Sequence, residues 1–213
     1  MKLDQLWENG PIFRQSDAVF KIGTDVVKLA EFTNLSRVRR VLDLGCGTGV
    51  LGILLGHRCP ELILDALDQN PQAVNLTREN AVRNGLSVSA HCLSVRNIRR
   101  FPQSFPAGTY DLIVSNPPYF SDGAGFRAKT EPIAAARAET DTTLFMWLEA
   151  CSYLLRWGGR LSLCYRAERL SELFCAMTAV GIEPKRLKLL GTPPSIALVE
   201  GRRGGKTGLL INI

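Results

Sequence analysis

The chain has 213 residues, of which 46% are hydrophobic and 22% are charged, proportions typical of one globular domain with its own core. No apolar run reaches the ~20 residues of a membrane span, and the N-terminus lacks an apolar signal segment, so we expect a cytoplasmic protein with no membrane partner. The formal net charge of +6 slightly favours a polyanionic partner.

Six cysteines and two histidines offer little material for metal binding or nucleophilic catalysis. No two cysteines form a C-x-x-C pair, and none lies at metal-ligand spacing from a histidine. We therefore predict buried free thiols in a reducing compartment and no bound metal.

Short apolar runs alternate with helical patterns from about residue 40 onward. The pattern predicts strands over residues 41–44, 62–67, 86–92, 110–115, 160–165, 185–190 and 195–199. It predicts helices over residues 48–58, 71–84, 142–155 and 167–180, with a long irregular loop over 120–140. Such alternation indicates a mainly parallel sheet covered on both faces, whose ligands bind at the carboxyl ends of the strands. We expect a single domain over residues 1–213, in which 1–39 are helical or irregular and 40–213 form the core.

The first predicted strand ends in a loop with three alternating glycines, Gly45, Gly47 and Gly49. Glycines let a ligand approach the backbone closely. A dinucleotide-binding turn would need a glycine where Val50 stands, and the Gly-Lys-Ser/Thr of a phosphate-binding loop is missing. The pattern D-x-G-x-G-x-G resembles the first motif of Rossmann-like methyltransferases, which bind S-adenosylmethionine. That resemblance implies a cofactor loop made of Asp43, Gly45, Cys46, Gly47 and Gly49.

In such a loop, the N-terminus of the following helix would offer backbone N–H groups to the methionine carboxylate of the cofactor. Asp43 would offset the ammonium or sulfonium charge of the cofactor. The alternative interpretation is a tight strand-to-helix turn without a ligand.

Two further strand ends lie at spacings suited to the same cofactor. Asp68 and Gln69 follow the second strand about 20 residues after the glycines, where a carboxylate can accept hydrogen bonds from ribose hydroxyls. Asp68 alone is also compatible with a cap for the helix that starts at Pro71. The third strand leads to Ser94 and Val95, where methyltransferases of this class often carry an acidic residue that binds the adenine amine. Ser94 departs from that pattern, so its side chain or the backbone near Val95 would make the contact.

The fourth predicted strand ends in N-P-P-Y, residues 116–119. Two prolines make the backbone rigid and remove two N–H donors, which leaves nearby carbonyls free to accept from a ligand. Asn116 adds a side-chain acceptor, and two acceptors at one point suit a planar –NH2 group. Hydrogen bonds to Asn116 and the Pro117 carbonyl would hold the nitrogen for direct methyl transfer, with Tyr119 stacked on the flat target. No general base is required before transfer, in keeping with the scarcity of histidine; the alternative is a proline-rich turn.

Together these motifs resemble the adenine-N6 and glutamine-N5 methyltransferases. The flanking segments are similar to bacterial tRNA(Val) adenine-N6 methyltransferases, which modify the adenine beside the anticodon: F-K-I-G-T-D-V-V-K-L-A at 20–30, A-R-A-E at 136–139 and A-L-V-E-G-R-R-G-G-K at 197–206. The resemblance implies an α/β, Rossmann-like class I methyltransferase fold, with a seven-stranded, mostly parallel sheet and an antiparallel last strand. It also implies tRNA as the substrate, S-adenosylmethionine as the cofactor and S-adenosylhomocysteine as the product.

By the same resemblance, Thr24 and Asp25 would lie near the cofactor, although either residue is equally suited to cap the next helix. The substrate and phosphate contacts that it implies are Pro118, Phe120, Arg137, Arg202, Arg203 and Lys206. For the group at 202–206, a solvated basic turn is the alternative.

Four other functions fit the same motifs. A protein glutamine-N5 methyltransferase, such as one acting on release factors, presents an amide of the same geometry. Those enzymes usually carry a separate N-terminal helical domain, and only about forty residues precede the glycine loop here. Enzymes that act on guanine in ribosomal RNA or on adenine in DNA also use this motif, the latter usually with a longer insertion than residues 120–140. Outside enzymes, the alternative is a silent cofactor-binding module.

Overall fold

The computed structural model describes residues 2–8, 10–15, 22–117 and 142–212. Its strands are β1 (Lys2–Gln5), β2 (Ile12–Gln15), β3 (Arg40–Leu44), β4 (Ile63–Asp68), β5 (Val88–Cys92), β6 (Tyr110–Ser115), β7 (Leu155–Arg166), β8 (Ile182–Leu190), β9 (Ile196–Arg203) and β10 (Leu210–Asn212). Its α-helices are α1 (Thr24–Phe32), α2 (Val50–Arg58), α3 (Pro71–Arg83), α4 (Leu144–Leu154) and α5 (Leu170–Ala179). Short 3-10 helices cover Val95–Arg100 and Ala167–Arg169.

Within the described part of the chain, one sheet has eight strands in the order β10-β8-β9-β7-β6-β3-β4-β5. The strands β3 to β7 run parallel, and β9 runs antiparallel to both of its neighbours. The predicted Rossmann-like sheet, mostly parallel and with β9 as its antiparallel seventh core strand, is confirmed. At the edge, β10 adds an eighth strand parallel to β8. The sequence pattern missed it because a strand of three residues is too short to show an alternation of apolar and polar positions.

The strands β1 and β2 form a separate antiparallel hairpin, with Lys2 opposite Gln15 and Gln5 opposite Ile12. This hairpin lies in the stretch that was expected to be helical or irregular, and α1 follows in the same stretch. Phe13 is fully buried, and the backbone of Arg14 is bonded by a side chain 66 residues further along the chain. Because distant residues hold the hairpin, a local sequence pattern could not reveal it.

The sheet is covered on both faces, as predicted, because its central strands are apolar on both sides. Leu42 and Ile113 belong to a buried cluster with residues of α4 and α5, whereas Val41 and Leu112 belong to one with residues of α1 and α2. Neighbouring residues of a strand point to opposite faces, so β3 and β6 contribute to both layers of the core. Among the described helices, none combines the length and the apolar character that crossing a bilayer requires.

The ends of several predicted elements are shifted by local chemistry. Helix α2 begins at Val50 rather than at residue 48, because Gly49 has a left-handed backbone with φ +80°. Helix α4 begins after Thr143, whose side chain caps it by accepting from the N–H of Met146. The helix predicted over 167–180 divides into a 3-10 turn and α5. The loop predicted over residues 120–140 lies outside the described residues.

Candidate active site

The carboxyl ends of β3, β4 and β5 are joined by backbone hydrogen bonds. Just after β3, Gly45 N and Cys46 N both donate to the Leu67 carbonyl of β4, at 2.7 and 3.1 Å. Just after β5, Leu93 N donates to the Asp68 carbonyl at 3.0 Å. The three strand ends that were predicted to hold the cofactor are therefore neighbours in space, as expected at the carboxyl edge of a parallel sheet.

All three glycines of the predicted loop have left-handed backbones, with φ of +75° at Gly45, +55° at Gly47 and +80° at Gly49. Residues with a side chain rarely adopt such values. A Cβ at Gly45 would also lie 2.8 Å from Cη2 of Trp147, and a Cβ at Gly49 would lie 2.8 Å from Cγ2 of Thr77. Glycine is thus required by conformation at all three positions and by clearance at Gly45 and Gly49, and the bare backbone forms a cradle that suits the expected cofactor.

The carbonyl groups of the same loop are bonded to α3. Gly47 O accepts from Thr77 Oγ1 at 3.1 Å, and Thr48 O accepts from Asn80 Nδ2 at 2.9 Å. Both side chains are buried, so α3 fixes the loop from the protein side. Sequence reasoning missed Thr77 and Asn80, although their place among the apolar positions of α3 was a usable signal, since buried polar groups need partners.

The acidic residue before the glycines, Asp43, is 2% exposed and packs against the start of α2. Its Oδ2 accepts from Gly52 N at 2.9 Å. Burial raises the pKa of the Asp43 carboxyl to about 7; the Gly52 N–H opposes the rise, and the charge of Asp68 adds to it. Asp43 therefore bonds to α2 rather than facing open space, and what it can supply to a cofactor is negative charge.

Each oxygen of Asp68, at the end of β4, accepts one backbone hydrogen bond. Gly47 N donates to Oδ2 at 3.0 Å, and Asn70 N donates to Oδ1 at 2.9 Å. Burial raises the pKa of Asp68, against the opposing effect of these N–H groups. The interpretation of Asp68 as a helix cap was wrong, because Asn70 caps α3 by accepting from Gln72 N at 2.9 Å. A carboxylate oxygen has two lone pairs, so Asp68 can still accept from hydroxyl groups.

The neighbouring positions Gln69, Ser94 and Val95 lie at the same edge of the sheet. Gln69 is exposed, and its carbonyl accepts from the Cys92 thiol at 3.6 Å. Ser94 is half-buried before the 3-10 helix that follows β5, and its carbonyl accepts from Asn97 N at 2.9 Å. The Ser94 hydroxyl makes no capping bond to that helix. The hydroxyl can therefore make a contact outside that helix.

The end of β6 is anchored by a buried hydroxyl. Ser115 Oγ donates to the Leu44 carbonyl of β3 at 2.7 Å and accepts from Trp147 Nε1 at 3.2 Å. This places Asn116 and the buried Pro117 directly beside the glycine loop. Sequence reasoning missed Trp147, which comes from a helix far along the chain.

The first turn of α1 contacts Asn116. Thr24 is exposed and starts the helix, while Gly23 occupies the cap position without a side-chain bond, so capping by Thr24 or Asp25 was a wrong interpretation. Asp25 Oδ2 accepts from Asn116 Nδ2 at 3.4 Å. From the other side, Cys164 Sγ donates to Asn116 Oδ1 at 3.1 Å. The structure thus brings Asp25 to Asn116, and the expectation that Thr24 and Asp25 lie near the cofactor stays a prediction.

Four predicted residues of the catalytic end, Pro118, Tyr119, Phe120 and Arg137, lie outside the described residues. The basic group at 202–206 lies away from the site. Arg202 pairs with Arg160, which lies towards the amino-terminal end of β7. Cys164, which contacts Asn116, lies towards the carboxyl end of the same strand. Because β9 is antiparallel, its last residues come to the opposite edge of the sheet, so Arg202, Arg203 and Lys206 are not brought together with Asn116.

The thiols and acidic groups give no sign of metal chemistry in the described ranges. All six cysteines are free, as predicted, but the expectation that they are buried was wrong for Cys92 and Cys175, which are exposed. Across residues 2–8, 10–15, 22–117 and 142–212, no group of three or more His, Cys, Asp or Glu side chains is arranged to hold a metal ion.

A mostly parallel sheet of this topology, with a bare glycine cradle at its carboxyl edge, is a Rossmann-like fold whose ligands bind at those strand ends. The methyltransferase small domain family matches residues 5–164, and the chain belongs to that family.

Two relatives extend the similarity over most of the chain. The tRNA1(Val) (adenine(37)-N6)-methyltransferase of Tolumonas auensis is 32% identical over 202 residues, which cover 91% of this chain and 81% of the relative. The enzyme of the same name from Haemophilus influenzae is 30% identical over 187 residues, which cover 82% and 78%.

Solved structures add the fold alone. A protein described as a predicted O-methyltransferase from Agrobacterium tumefaciens has a TM-score of 0.68 at 18% identity, covering 88% of this chain and 84% of that one.

Proposed function

We propose that this protein transfers a methyl group from S-adenosylmethionine to the exocyclic N6 amine of adenine in tRNA, next to the anticodon, in the cytoplasm. The observation that carries the proposal is the position of Asn116 and Pro117 at the end of β6, beside the glycine loop at the end of the neighbouring β3. There the Asn116 side chain and the Pro117 carbonyl offer two acceptors to one planar –NH2 group. The names of the relatives support the proposal that this –NH2 group belongs to an adenine of tRNA.

S-adenosylmethionine supplies an electrophilic methyl group on a sulfonium centre. The glycine loop would hold the cofactor against bare backbone, and the N-terminus of α2 would bind its carboxylate. Asp43 would balance the positive charge, and Asp68 would accept from the ribose hydroxyls. The adenine of the cofactor would lie among Gln69, Ser94 and Val95, at the ends of β4 and β5. Cys46 and Thr24 are the remaining residues that we propose lie beside the cofactor.

On the substrate side, Asn116 Oδ1 and the Pro117 carbonyl would accept from the two N–H groups of the amine. These bonds favour the positive charge that develops on the nitrogen as its bond to the methyl carbon forms. The rate acceleration therefore comes from positioning and electrostatics. After transfer, the methylated amine can lose a proton to water. Tyr119 would stack on the base. The other proposed substrate contacts are Pro118, Phe120 and Arg137.

The site of modification suits this geometry. An adenine beside the anticodon lies in a loop, so moving it into a pocket costs less free energy than extruding it from a duplex. The net charge of +6 favours association with the phosphates of RNA.

The test is transfer of labelled methyl from S-adenosylmethionine to unmodified bulk tRNA and, in parallel, to purified release factor, followed by nucleoside and amino-acid analysis. We expect label in N6-methyladenosine from tRNA alone. Label in the release factor alone would retain the fold and the cofactor but replace the substrate. A thermal shift with S-adenosylmethionine accompanies the assay, because a ligand that binds only the folded state raises its stability. A shift without any transfer would favour the silent binding module.

A further inference from the structure

The Asn116 side chain is held from two sides by residues of other elements. Its Nδ2 donates to Asp25 Oδ2 on α1 at 3.4 Å, and its Oδ1 accepts from Cys164 Sγ on β7 at 3.1 Å. Asp25 is 91 residues from Asn116 in sequence, and Cys164 is 48 residues from it. Only the fold brings the three together, beside the edge of the sheet where the glycine loop lies.

The chemistry of the two partners fixes which way round the amide lies. A carboxylate only accepts hydrogen bonds, so Asp25 selects Nδ2. Burial raises the pKa of the Cys164 thiol well above its usual range, and the charge of Asp25 adds to the rise, so the thiol keeps its proton and donates to Oδ1. An amide turned by half a rotation would lose the bond to Asp25 and place Oδ1 against the Asp25 carboxylate, which cannot donate to it. In the observed orientation, Oδ1 keeps a second lone pair for a ligand.

Gly23 provides the space that the Asp25 carboxylate occupies. A Cβ at Gly23 would lie 2.2 Å from Asp25 Oδ1 and 3.3 Å from Asp25 Cγ. The backbone of Gly23, with φ −95° and ψ 162°, is open to any residue. Glycine is therefore not needed here for conformation, and what a side chain would disturb is the position of the carboxylate.

We propose that Asp25 and Cys164 are positioning residues that hold the Asn116 amide with its oxygen directed to the substrate amine. The inference rests on the proposed role of Asn116, and both residues act through it. Since the amine gains positive charge only as transfer proceeds, a correctly turned oxygen stabilises the transition state more than the bound substrate. Loss of the orientation should therefore lower kcat and leave cofactor binding nearly unchanged.

The kinetic test compares variants of α1 in the tRNA assay. We expect Asp25→Ala to lower kcat about 10- to 100-fold while the KM for S-adenosylmethionine stays within about twofold. Asp25→Asn keeps an acceptor oxygen and should recover most of the loss. Glu31→Gln is the matched control, because it removes a carboxylate from the exposed side of the same helix, where Glu31 pairs with Lys28. Equal kcat in Asp25→Ala and Glu31→Gln would overturn the proposal.

Substitutions at Gly23 and Cys164 test the orientation of the Asn116 amide in other ways. Gly23→Ala should lower kcat without removing any charge, because it displaces the Asp25 carboxylate; if Asp25→Ala fails to fold, this variant carries the test. Cys164→Ala should lower kcat and Cys164→Ser should restore part of it, since serine also donates. Cys151→Ala is the control for losing a fully buried thiol, and it should leave kcat unchanged. Equal kcat in Cys164→Ala and Cys151→Ala would contradict the role of Cys164.

A second measurement reads the orientation without any substrate. In nitrogen-15 NMR, the side-chain amide signal of Asn116 is identified by its disappearance in Asn116→Asp. We expect this signal to move, and its protons to exchange faster with water, in Asp25→Ala and Gly23→Ala but not in Glu31→Gln. An unmoved signal in Asp25→Ala would overturn the proposal. Failure of the wild-type protein to methylate tRNA would instead refute the proposed function, and the NMR result would still decide the orientation of the amide.

Discussion

The Asn80 side chain donates to the Thr48 carbonyl at 2.9 Å and so bonds α3 to the glycine loop. The same amide group donates to the Arg14 carbonyl at 3.1 Å and accepts from Arg14 N at 2.7 Å. One helical turn further along, Asn84 bonds the carbonyl and the N–H of Ile12 in the same way. The two asparagines thus satisfy the backbone of β2 much as a neighbouring strand would, and Asn80 links that hairpin to the glycine loop.

We predict that Asn80→Ala weakens cofactor binding as well as folding. Asn80 is 0% exposed, and its loss removes the side-chain partner of the buried Thr48 carbonyl and two hydrogen bonds to the part-buried backbone of Arg14, at a cost of about 2–4 kcal/mol in the free energy of unfolding. As the loop loosens, the dissociation constant for S-adenosylmethionine, measured by calorimetry, should rise severalfold. Asn84→Ala is the control, because it releases the hairpin and leaves the Thr48 carbonyl bonded. Equal losses of affinity in the two variants would contradict coupling through Thr48.

Gly45→Ala should lower both stability and cofactor affinity, because the new Cβ meets the Trp147 ring at 2.8 Å in a backbone of φ +75°. Gly85→Ala is a matched control, with φ +68° and nothing within 4 Å of the added carbon. Both variants carry the strain of a left-handed backbone, about 1–2 kcal/mol, but only Gly45→Ala alters the loop. Thermal unfolding and calorimetry measure the two effects. Equal melting temperatures and affinities would show that clearance beside Trp147 does not matter.

Cofactor binding should strengthen as pH rises towards 7, because of Asp43. Burial holds the pKa of this carboxyl at about 7 in the free protein, against 3.8 for the ordinary group. A bound cation favours the carboxylate and lowers this pKa, so binding releases a proton and the affinity rises by up to about tenfold per pH unit below 7, then levels off. Calorimetry from about pH 5.5 to about pH 7.5 measures this dependence. Asp43→Asn keeps an acceptor for Gly52 N and should flatten it; an unchanged slope would assign the proton to another group.

The same raised pKa has the opposite effect on the free protein. Folding disfavours the charged form of Asp43, so the folded protein holds this proton more tightly than the unfolded chain does. The stability that the bound proton adds is fully present below pH 3.8 and is lost as pH rises to about 7. The stability of Asp43→Asn should lack this loss. Denaturant unfolding of the two proteins across that pH window measures the difference, and parallel pH profiles would contradict the assignment.

Asn116→Ala should abolish most transfer and leave the cofactor bound. Removal of one acceptor for the substrate amine is expected to lower kcat about 10²- to 10³-fold, with the dissociation constant for S-adenosylmethionine within about twofold. Asn75→Ala, at an exposed position of α3, is the control for an asparagine truncation. Near wild-type turnover of Asn116→Ala would exclude the amine-positioning role.

Much of the fold was predictable from short-range pattern. Apolar strands that alternate with amphipathic helices indicate a parallel sheet, and β3 to β9 appear in the predicted order. The hairpin β1–β2 was not predictable, because side chains of α3 hold its outer edge. Nor was the early start of β7 at Leu155, directly after α4. Both features depend on tertiary contacts rather than on local periodicity.

The candidate site shows the same division. The positions of Gly45 and Asp68 at neighbouring strand ends could be predicted, because backbone conformation and strand ends leave fixed spacings in a sequence. Cys164 and Trp147 make contacts between elements that are distant in sequence, and no spacing marks them, whereas Asp25 was marked only by the family resemblance of residues 20–30. Ser94 was correctly placed just after β5, where other methyltransferases of this class often carry an acidic residue.

Because Thr77 and Asn80 hold the carbonyls of the glycine loop before any ligand arrives, the loop loses its backbone entropy during folding rather than on binding. The cofactor therefore meets a surface of settled shape. Association should be limited by diffusion and orientation, so differences in affinity among variants should appear as differences in residence time. Any change that breaks the bond from Asn80 to the Thr48 carbonyl should shorten that residence time without touching the cofactor.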